Sequence, residues 1–333
     1  MRVIQVGIGG MGNAWLNAVL SSPEVQYAAF VEINPAIAAE QAERHKLDRA
    51  LIFPTLAEAI DAARAAFPGE PLGVIDVTPP AFHQSISTTA LEAGIPVLSE
   101  KPLANTFEAA TAIARKADET GVLHMVAQNY RYSVPAQTLK RVLDEGALGV
   151  VGAVSVDFFK GPHFGGFREQ MPYPLIIDMS IHHFDMLRFF LGDNPVSVYG
   201  RSWNPPWSWF RGDASAAVSL QFAGGVVAAY NGSWCSNGTE TPWNGNWRFE
   251  CERGSILLRE DVVYTQRRDE APVPVPAVEM PRVAQSYLLH EFYEAATTGK
   301  RPATTAQDNL KSLAIVFDVV ESFTSGGVVQ SRV

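Results

Sequence analysis

The chain has 333 residues, 47% of them hydrophobic and 18% charged, and a net charge of −9. That length exceeds one typical core, so two domains are expected, and the composition excludes a disordered chain. The acidic balance argues against general binding to nucleic acid or anionic membranes, and Cys235 and Cys251 are too few for a disulfide scaffold.

A strand begins at once, with Arg2-Val3-Ile4-Gln5-Val6, and no signal peptide precedes it; no apolar run approaches a membrane span. The expectation is a cytoplasmic chain. To about residue 127, short apolar strands at 3–6, 26–31, 73–77, 96–98 and 124–127 alternate with helical patterns at 35–45, 56–66, 81–93 and 106–119. Strands separated by such helices read as βαβ units of a parallel sheet. Asn105 or Thr106 followed by Glu108 signals the start of the last helix, and Gly121 its end.

After Pro135 the pattern changes. It predicts a helix over 134–145, a strand over 150–159, a loop with Gly161, Pro162, Gly165 and Gly166, and one helical segment over 175–191. Runs at 214–222, 226–233 and 248–251, separated by turn pairs such as Gly224-Gly225 and Gly254-Ser255, indicate antiparallel pairing. A proline-rich loop over 271–281 and helices over 283–298 and 306–324 finish the chain. The fold class is α/β: a doubly wound Rossmann domain over 1–127, then an α+β domain over 128–333 with an open, mainly antiparallel sheet.

Gly7-Ile8-Gly9-Gly10-Met11-Gly12 fits G-x-G-x-x-G directly after a strand and before a helix. Gly7 allows the tight turn, Gly9 lets the backbone approach a pyrophosphate, and Gly12 lets helix and strand pack closely. Gly10 and Met11 complete that turn, and the helix N-terminus offers its N–H groups to the phosphate. Glu32 ends the second strand, twenty residues beyond Gly12, where an acid accepts the adenosine ribose hydroxyls and repels a 2′-phosphate. NAD is therefore favoured over NADP. Thr78 and Pro79 follow the strand over 73–77, and His83 opens the next helix, at the sheet edge where the cofactor is expected.

Glu100-Lys101-Pro102 closes another strand at that edge. A lysine there can polarise a carbonyl or donate a proton, or it can be a solvated loop residue. In 175–191, Asp178, His182 and Asp185 fall within about 60° of one another on an ideal helix. Three readings stay open: an acid/base set, a core histidine held by a carboxylate, or a two-residue metal fragment. No third ligand stands at suitable spacing, so no metal is expected.

These motifs in this order resemble the glucose–fructose oxidoreductase / inositol dehydrogenase / rhizopine catabolism family over essentially the whole chain. They are the glycine fingerprint, Thr78-Pro79 with His83, Glu100-Lys101-Pro102, Arg131-Tyr132 with Pro135, and Asp178-x-x-x-His182-x-x-Asp185. The resemblance implies NAD(P)-dependent redox chemistry on a sugar or cyclitol hydroxyl, and a homodimer or homotetramer assembled through the C-terminal sheet. It implies that Glu100 and Lys101 border the cofactor, that Lys101 contacts the reacting hydroxyl, that His182 is the acid/base and that Asp178 assists the substrate. It also implies a cis peptide before Pro102.

Many relatives carry a glycine cluster before the aspartate, where this chain has Pro172-Tyr173-Pro174-Leu175-Ile176-Ile177, so its substrate-side loop is expected to differ. His163 and Arg168, with Lys160 and Phe167, are candidates to meet substrate from the loop before the helix. Six of the seven tryptophans fall between Trp203 and Trp247, suited to sugar stacking, an interface or the sheet core. Two other functions fit the same residues: glycoside cleavage through transient oxidation by bound NAD, and a redox sensor without turnover.

Overall fold

The computed structural model describes residues 1–332. Its described residues divide into two compact units, the first made of residues 1–129 and 282–310, the second of 130–281 and 311–332.

The first unit is a six-stranded parallel sheet in the order β3-β2-β1-β4-β5-β6. Its strands are β1 (Arg2–Val6), β2 (Gln26–Val31), β3 (Ile52–Phe53), β4 (Leu72–Asp76), β5 (Val97–Ser99) and β6 (His124–Val126). The strand order reverses between β1 and β4, which run in register from Arg2↔Leu72 to Val6↔Asp76. Ligands of doubly wound sheets bind outside the strand ends at such a reversal. The helices are α1 (Gly12–Leu20), α2 (Pro35–His45), α3 (Leu56–Ala66), α4 (His83–Glu92) and α5 (Phe107–Thr120). Local chemistry sets their ends: Thr106 caps α5 through Ala109 N–H, and Gly121 closes it at φ +66.

Residues 282–310 return to this first unit, where the sequence pattern had left them with the second. The partners are distant in sequence. On α8 (Ala284–Thr298), the Phe292 ring lies so close to β4 that a Cβ on Gly73 would meet it at 2.9 Å. Thr304 carbonyl accepts from Val126 N–H, Met125 bridges Thr305, and Glu24 pairs with both Arg282 and His290. The division falls inside α9 (Ala306–Ser325).

The second unit holds α6 (Val134–Glu145), α7 (Ile181–Leu191) and nine further strands. They are β7 (Val151–Phe159), β8 (Pro195–Trp203), β9 (Ser215–Phe222), β10 (Val227–Ser233), β11 (Asn246–Cys251), β12 (Gly254–Arg259), β13 (Val262–Arg267), β14 (Val273–Pro274) and β15 (Val329–Gln330). Their order is β14-β13-β12-β11-β7-β10-β9-β8-β15, antiparallel except for β10 against β7. Gly254-Ser255 does not make a turn but begins β12, and the proline-rich segment contributes β14. Alternation along β10, where Ala228, Tyr230 and Gly232 are buried between exposed neighbours, shows one covered face and one open face.

The helical segment over 175–191 is not one α-helix. Leu175–Ser180 forms a π turn and α7 follows. Ser180 Oγ reaches back to the Leu175 carbonyl at 3.1 Å and also meets Tyr230 Oη at 2.9 Å. The wider turn therefore has a side-chain partner for a backbone carbonyl. It places Asp178 differently from the ideal wheel drawn through Asp178, His182 and Asp185.

Candidate active site

In the first unit the glycine turn joins β1 to α1. Gly7 sits at φ +85, where an added Cβ would lie 2.9 Å from Val77 carbonyl oxygen; one on Gly12 would lie 2.8 Å from Gly7 carbonyl oxygen. Both glycines are required by the protein's own packing. Gly9 and Gly10 are not. A Cβ on Gly10 meets nothing within 4 Å, and one on Gly9 meets only Ile37 side-chain atoms, the nearer at 3.7 Å. That leaves an open backbone surface at the start of α1, which fits the close approach of a dinucleotide pyrophosphate. Met11 is half-exposed beside it.

Gln5, which lies outside the glycine motif, braces this turn. It is fully buried, and its Nε2 donates to the carbonyls of Gly7 and Gly12, 3.1 Å each. Tyr27 Oη donates to Gln5 Oε1 at 2.5 Å, and burial holds that phenol well above its ordinary pKa. A glutamine within Val-Ile-Gln-Val was the available signal. Glu32 stands at the end of β2, where its carboxylate accepts from Asn34 N–H at 3.0 Å and Ile8 N–H at 3.4 Å.

The loops after β4 and β5 are tied together. Asp76, fully buried, accepts from both Thr78 N–H and Thr78 Oγ1. His83 is also fully buried, and its ring nitrogens lie 3.0 Å from Pro102 carbonyl oxygen and 2.9 Å from Thr78 carbonyl oxygen. It is placed as a brace between the Thr78-Pro79 loop and the Glu100-Lys101-Pro102 loop, not as a surface contact. The Lys101–Pro102 peptide is cis. Glu100 Oε1 accepts from Trp15 Nε1 of α1 at 2.8 Å, and Oε2 accepts from Lys101 N–H at 3.2 Å. Burial raises the Glu100 pKa, against the lowering effect of the Trp15 bond and the Lys101 charge. The glycine turn, Thr78-Pro79 and the lysine loop are thus joined through α1, Glu100 and His83.

In the second unit, His182 is buried in the first turn of α7, and the Tyr130 ring stacks on it with centroids 4.2 Å apart. Asp178, in the π turn, accepts from Arg168 Nε at 2.7 Å. Arg168 belongs to the 3-10 turn Gly166–Gln170, which opens on Gly166 directly after Gly165, both at positive φ, and its guanidinium lies over the Phe164 and Phe167 rings. Asp178 and Arg168 are therefore brought together. His163 is exposed and stacks on Trp209, with ring centroids 3.8 Å apart. Lys160 pairs with Glu240. Trp234 and Trp247 belong to the core, whereas Trp203, Trp207 and Trp243 are exposed.

Asp185 does not join this set. It is buried against Arg131 and Ser312, an ion pair within the core. His183, adjacent to His182, has another role again. Its Nε2 faces the Trp243 carbonyl and its Nδ1 the Tyr230 hydroxyl, both at 3.2 Å, and burial lowers its pKa to about 4. A carbonyl only accepts, so Nε2 carries the hydrogen, and the lowered pKa leaves the ring uncharged at neutral pH. Among the described residues no group of three His, Cys, Asp or Glu side chains could hold a metal ion.

The model of an oxidoreductase family with an NAD-binding Rossmann fold matches residues 1–128, and that of the GFO/IDH/MocA C-terminal domain matches residues 136–257. The chain belongs to the GFO/IDH/MocA oxidoreductase family. An uncharacterized protein of Sinorhizobium fredii is 30% identical over 98% of this chain and 94% of its own length. The NAD(+)-dependent scyllo-inositol 2-dehydrogenase of Bacillus subtilis is 29% identical over 77% of each chain. An oxidoreductase of Agrobacterium radiobacter, solved with NAD+, L-tartaric acid and magnesium, shares the fold with a TM-score of 0.88. It is 20% identical and aligns over 99% of this chain and 98% of its own. The chain is accordingly an NAD-binding oxidoreductase with the two-part architecture of this family.

Proposed function

We propose that this family member is an NAD-dependent dehydrogenase of a sugar, sugar-derivative or cyclitol hydroxyl. The observation that carries the reading is the buried His182 held against Tyr130, with the Arg168-paired Asp178 carboxylate four residues before it. Gly9, Gly10 and the start of α1 would hold the pyrophosphate, and Glu32 the adenosine ribose. When bound, NAD supplies the carbon that accepts or returns the hydride.

The protein's own part is proton control and orientation. The Lys101 ammonium holds the reacting hydroxyl and stabilises negative charge on its oxygen. His182 takes the hydroxyl proton in the oxidising direction and gives it back in reduction. Asp178 accepts from a second substrate hydroxyl, with Arg168 fixing its carboxylate. His163, exposed beside Trp209, contributes a further polar contact. The named substrates of the inositol dehydrogenase relative, and of the D-apiose and levoglucosan dehydrogenases that also match, support a polyol.

We further assign this chain to the cytoplasm and to a homo-oligomer built on the open face of the second sheet. Tyr199, Ser219, Ala229, Ser155 and Arg248 form one register row across five strands of that sheet. Exposed Tyr199 and Trp203 supply apolar area on β8. Light scattering after gel filtration should give a dimer or tetramer.

The deciding test is NADH formation across a panel of inositols, aldoses and anhydro-sugars with NAD and NADP compared. Turnover with at least one polyol is expected. Lys101→Ala and His182→Ala should each abolish it while keeping the wild-type melting profile. Full activity in both variants would remove the assignment.

A further inference from the structure

His182 is held from the side by a residue that the family motifs do not place in the chemistry. Tyr130 lies in the 3-10 turn Asn129–Tyr132, and its ring covers the His182 imidazole with centroids 4.2 Å apart and planes 23° from parallel. The same ring meets His183 edge-on, at 6.3 Å and 87°. Burial, assisted by the Asp178 and Asp261 charges, raises the Tyr130 phenol above its ordinary pKa, so the ring stays neutral.

The turn is anchored to α7 on its other side. Arg131 grips Asp185 with Nε and Nη2, and Asp185 stands one helical turn after His182. Gln137 Nε2 donates to the Arg131 carbonyl at 2.7 Å. The backbone at 130–131 is therefore fixed relative to α7, which delivers the Tyr130 ring to one face of His182.

An imidazole on a helix turns about two side-chain bonds, and its two-fold torsion is broad, so the helix alone leaves the ring plane loosely set. A flat ring packed on one face removes that freedom. We infer that Tyr130 is a positioning residue that sets the plane of the His182 imidazole, and with it the direction in which proton transfer occurs. The inference rests on His182 as the acid/base group. Its basis in this chain is the stack and the Arg131–Asp185 anchor.

The test uses the full chain and the best substrate from a panel of myo-inositol, scyllo-inositol, D-glucose and D-xylose. It compares Tyr130→Phe, Tyr130→Leu, Tyr130→Met and His182→Ala. Leucine and methionine fill the space without an aromatic face, so either serves if the other melts early. In the unstacked variants kcat should fall about 10²-fold, the scale of a small misplacement of a reacting group. KM for NAD and the NADH dissociation constant should stay unchanged. Tyr130→Phe should retain most of the turnover. Proton NMR supplies a readout besides activity. The His182 ring signals, identified by their loss in His182→Ala, should show an aromatic ring-current shift in the wild type and in Tyr130→Phe, and not in the unstacked variants.

Wild-type kcat in Tyr130→Leu and Tyr130→Met, with His182→Ala inactive, would overturn the positioning role and leave the acid/base assignment standing. A Tyr130→Phe enzyme as impaired as the unstacked variants would also overturn it, assigning the effect to the hydroxyl. Activity in His182→Ala would remove both readings.

Discussion

The Arg131 guanidinium holds the Asp185 carboxylate at two points, Nε to Oδ2 at 2.5 Å and Nη2 to Oδ1 at 2.7 Å, with side chains only 5% and 1% exposed. Ser312 Oγ donates to Oδ1 at 2.6 Å, and Arg188 Nη1 stands 3.8 Å from the same oxygen. A carboxylate so enclosed has no path to a substrate proton. Asp185 is thus part of the scaffold that anchors residues 130–131 to α7. Removing one member of a buried, hydrogen-bonded pair strands the other charge, so Asp185→Ala should destabilise the chain by about 3–5 kcal/mol. Urea denaturation followed by far-UV circular dichroism checks this, and a loss under about 1 kcal/mol would mean the pair is solvated in solution.

Arg168 and Asp178 make a pair of the opposite kind. Their side chains are 32% and 14% exposed, and Arg168 lies on a turn led by two glycines at positive φ. Solvent screening limits such a pair to about 1 kcal/mol of stability or less. Its effect should appear in kinetics instead, because the guanidinium fixes the carboxylate proposed to orient the substrate. Arg168→Gln should melt within experimental error of the wild type yet lose about tenfold in kcat/KM, roughly 1.4 kcal/mol of transition-state binding. Unchanged kcat/KM would show that Asp178 needs no partner to act.

The glycine turn separates folding from cofactor binding at neighbouring positions. Gly7→Ala forces a Cβ to within 2.9 Å of Val77 carbonyl oxygen at φ +85, where a left-handed non-glycine residue alone costs about 1–2 kcal/mol. It should lower the melting temperature. Gly9→Ala places its Cβ 3.7 Å from the nearest Ile37 atom, an ordinary contact. That variant should melt like the wild type and bind NADH about tenfold more weakly, a loss of roughly 1.4 kcal/mol. Fluorescence titration with NADH beside a thermal melt distinguishes the two. Equal NADH affinity in Gly9→Ala and wild type would mean the pyrophosphate lies elsewhere.

What the sequence made legible was short-range. The glycine turn after β1, the Thr106 and Gly121 ends of α5, and the alternation of β10 each follow from a few adjacent residues and their backbone preferences. Three features depend on partners far along the chain. The return of 282–310 is fixed by Phe292 against Gly73 and by Thr304 with Val126. No local pattern at 282–310 encodes those contacts. The π turn at Leu175–Ser180 is accompanied by Ser180 bonds to Leu175 and to Tyr230, the latter fifty residues away. A helical wheel identifies a shared face and not the groups opposite it. It therefore set Asp185 beside Asp178, although Arg131 claims one and Arg168 the other.

Two buried histidines should make the fold acid-sensitive. Burial lowers His124 to about 3 and His183 to about 4, from an ordinary value of 6.5. His124 Nε2 meets Ser87 Oγ at 2.9 Å, and His183 lies between Tyr230 and Trp243. Once the chain unfolds, both rings take up protons near their ordinary value. In the folded chain neither does until well below it. The unfolded state therefore binds more protons throughout that interval, so stability rises with pH there and is lost as pH falls below about 6.5. Above pH 7.5 neither ring contributes a slope. Urea midpoints at pH 7.5, 6.0 and 5.0 should fall in that order. His124→Asn should start lower at pH 7.5 yet lose less between pH 6 and 5, by at most about 1.4 kcal/mol per pH unit for the one proton removed. His183→Asn should behave alike. If both variants keep the wild-type slope, these rings titrate in the folded chain as they do in water, and other groups set its response to acid.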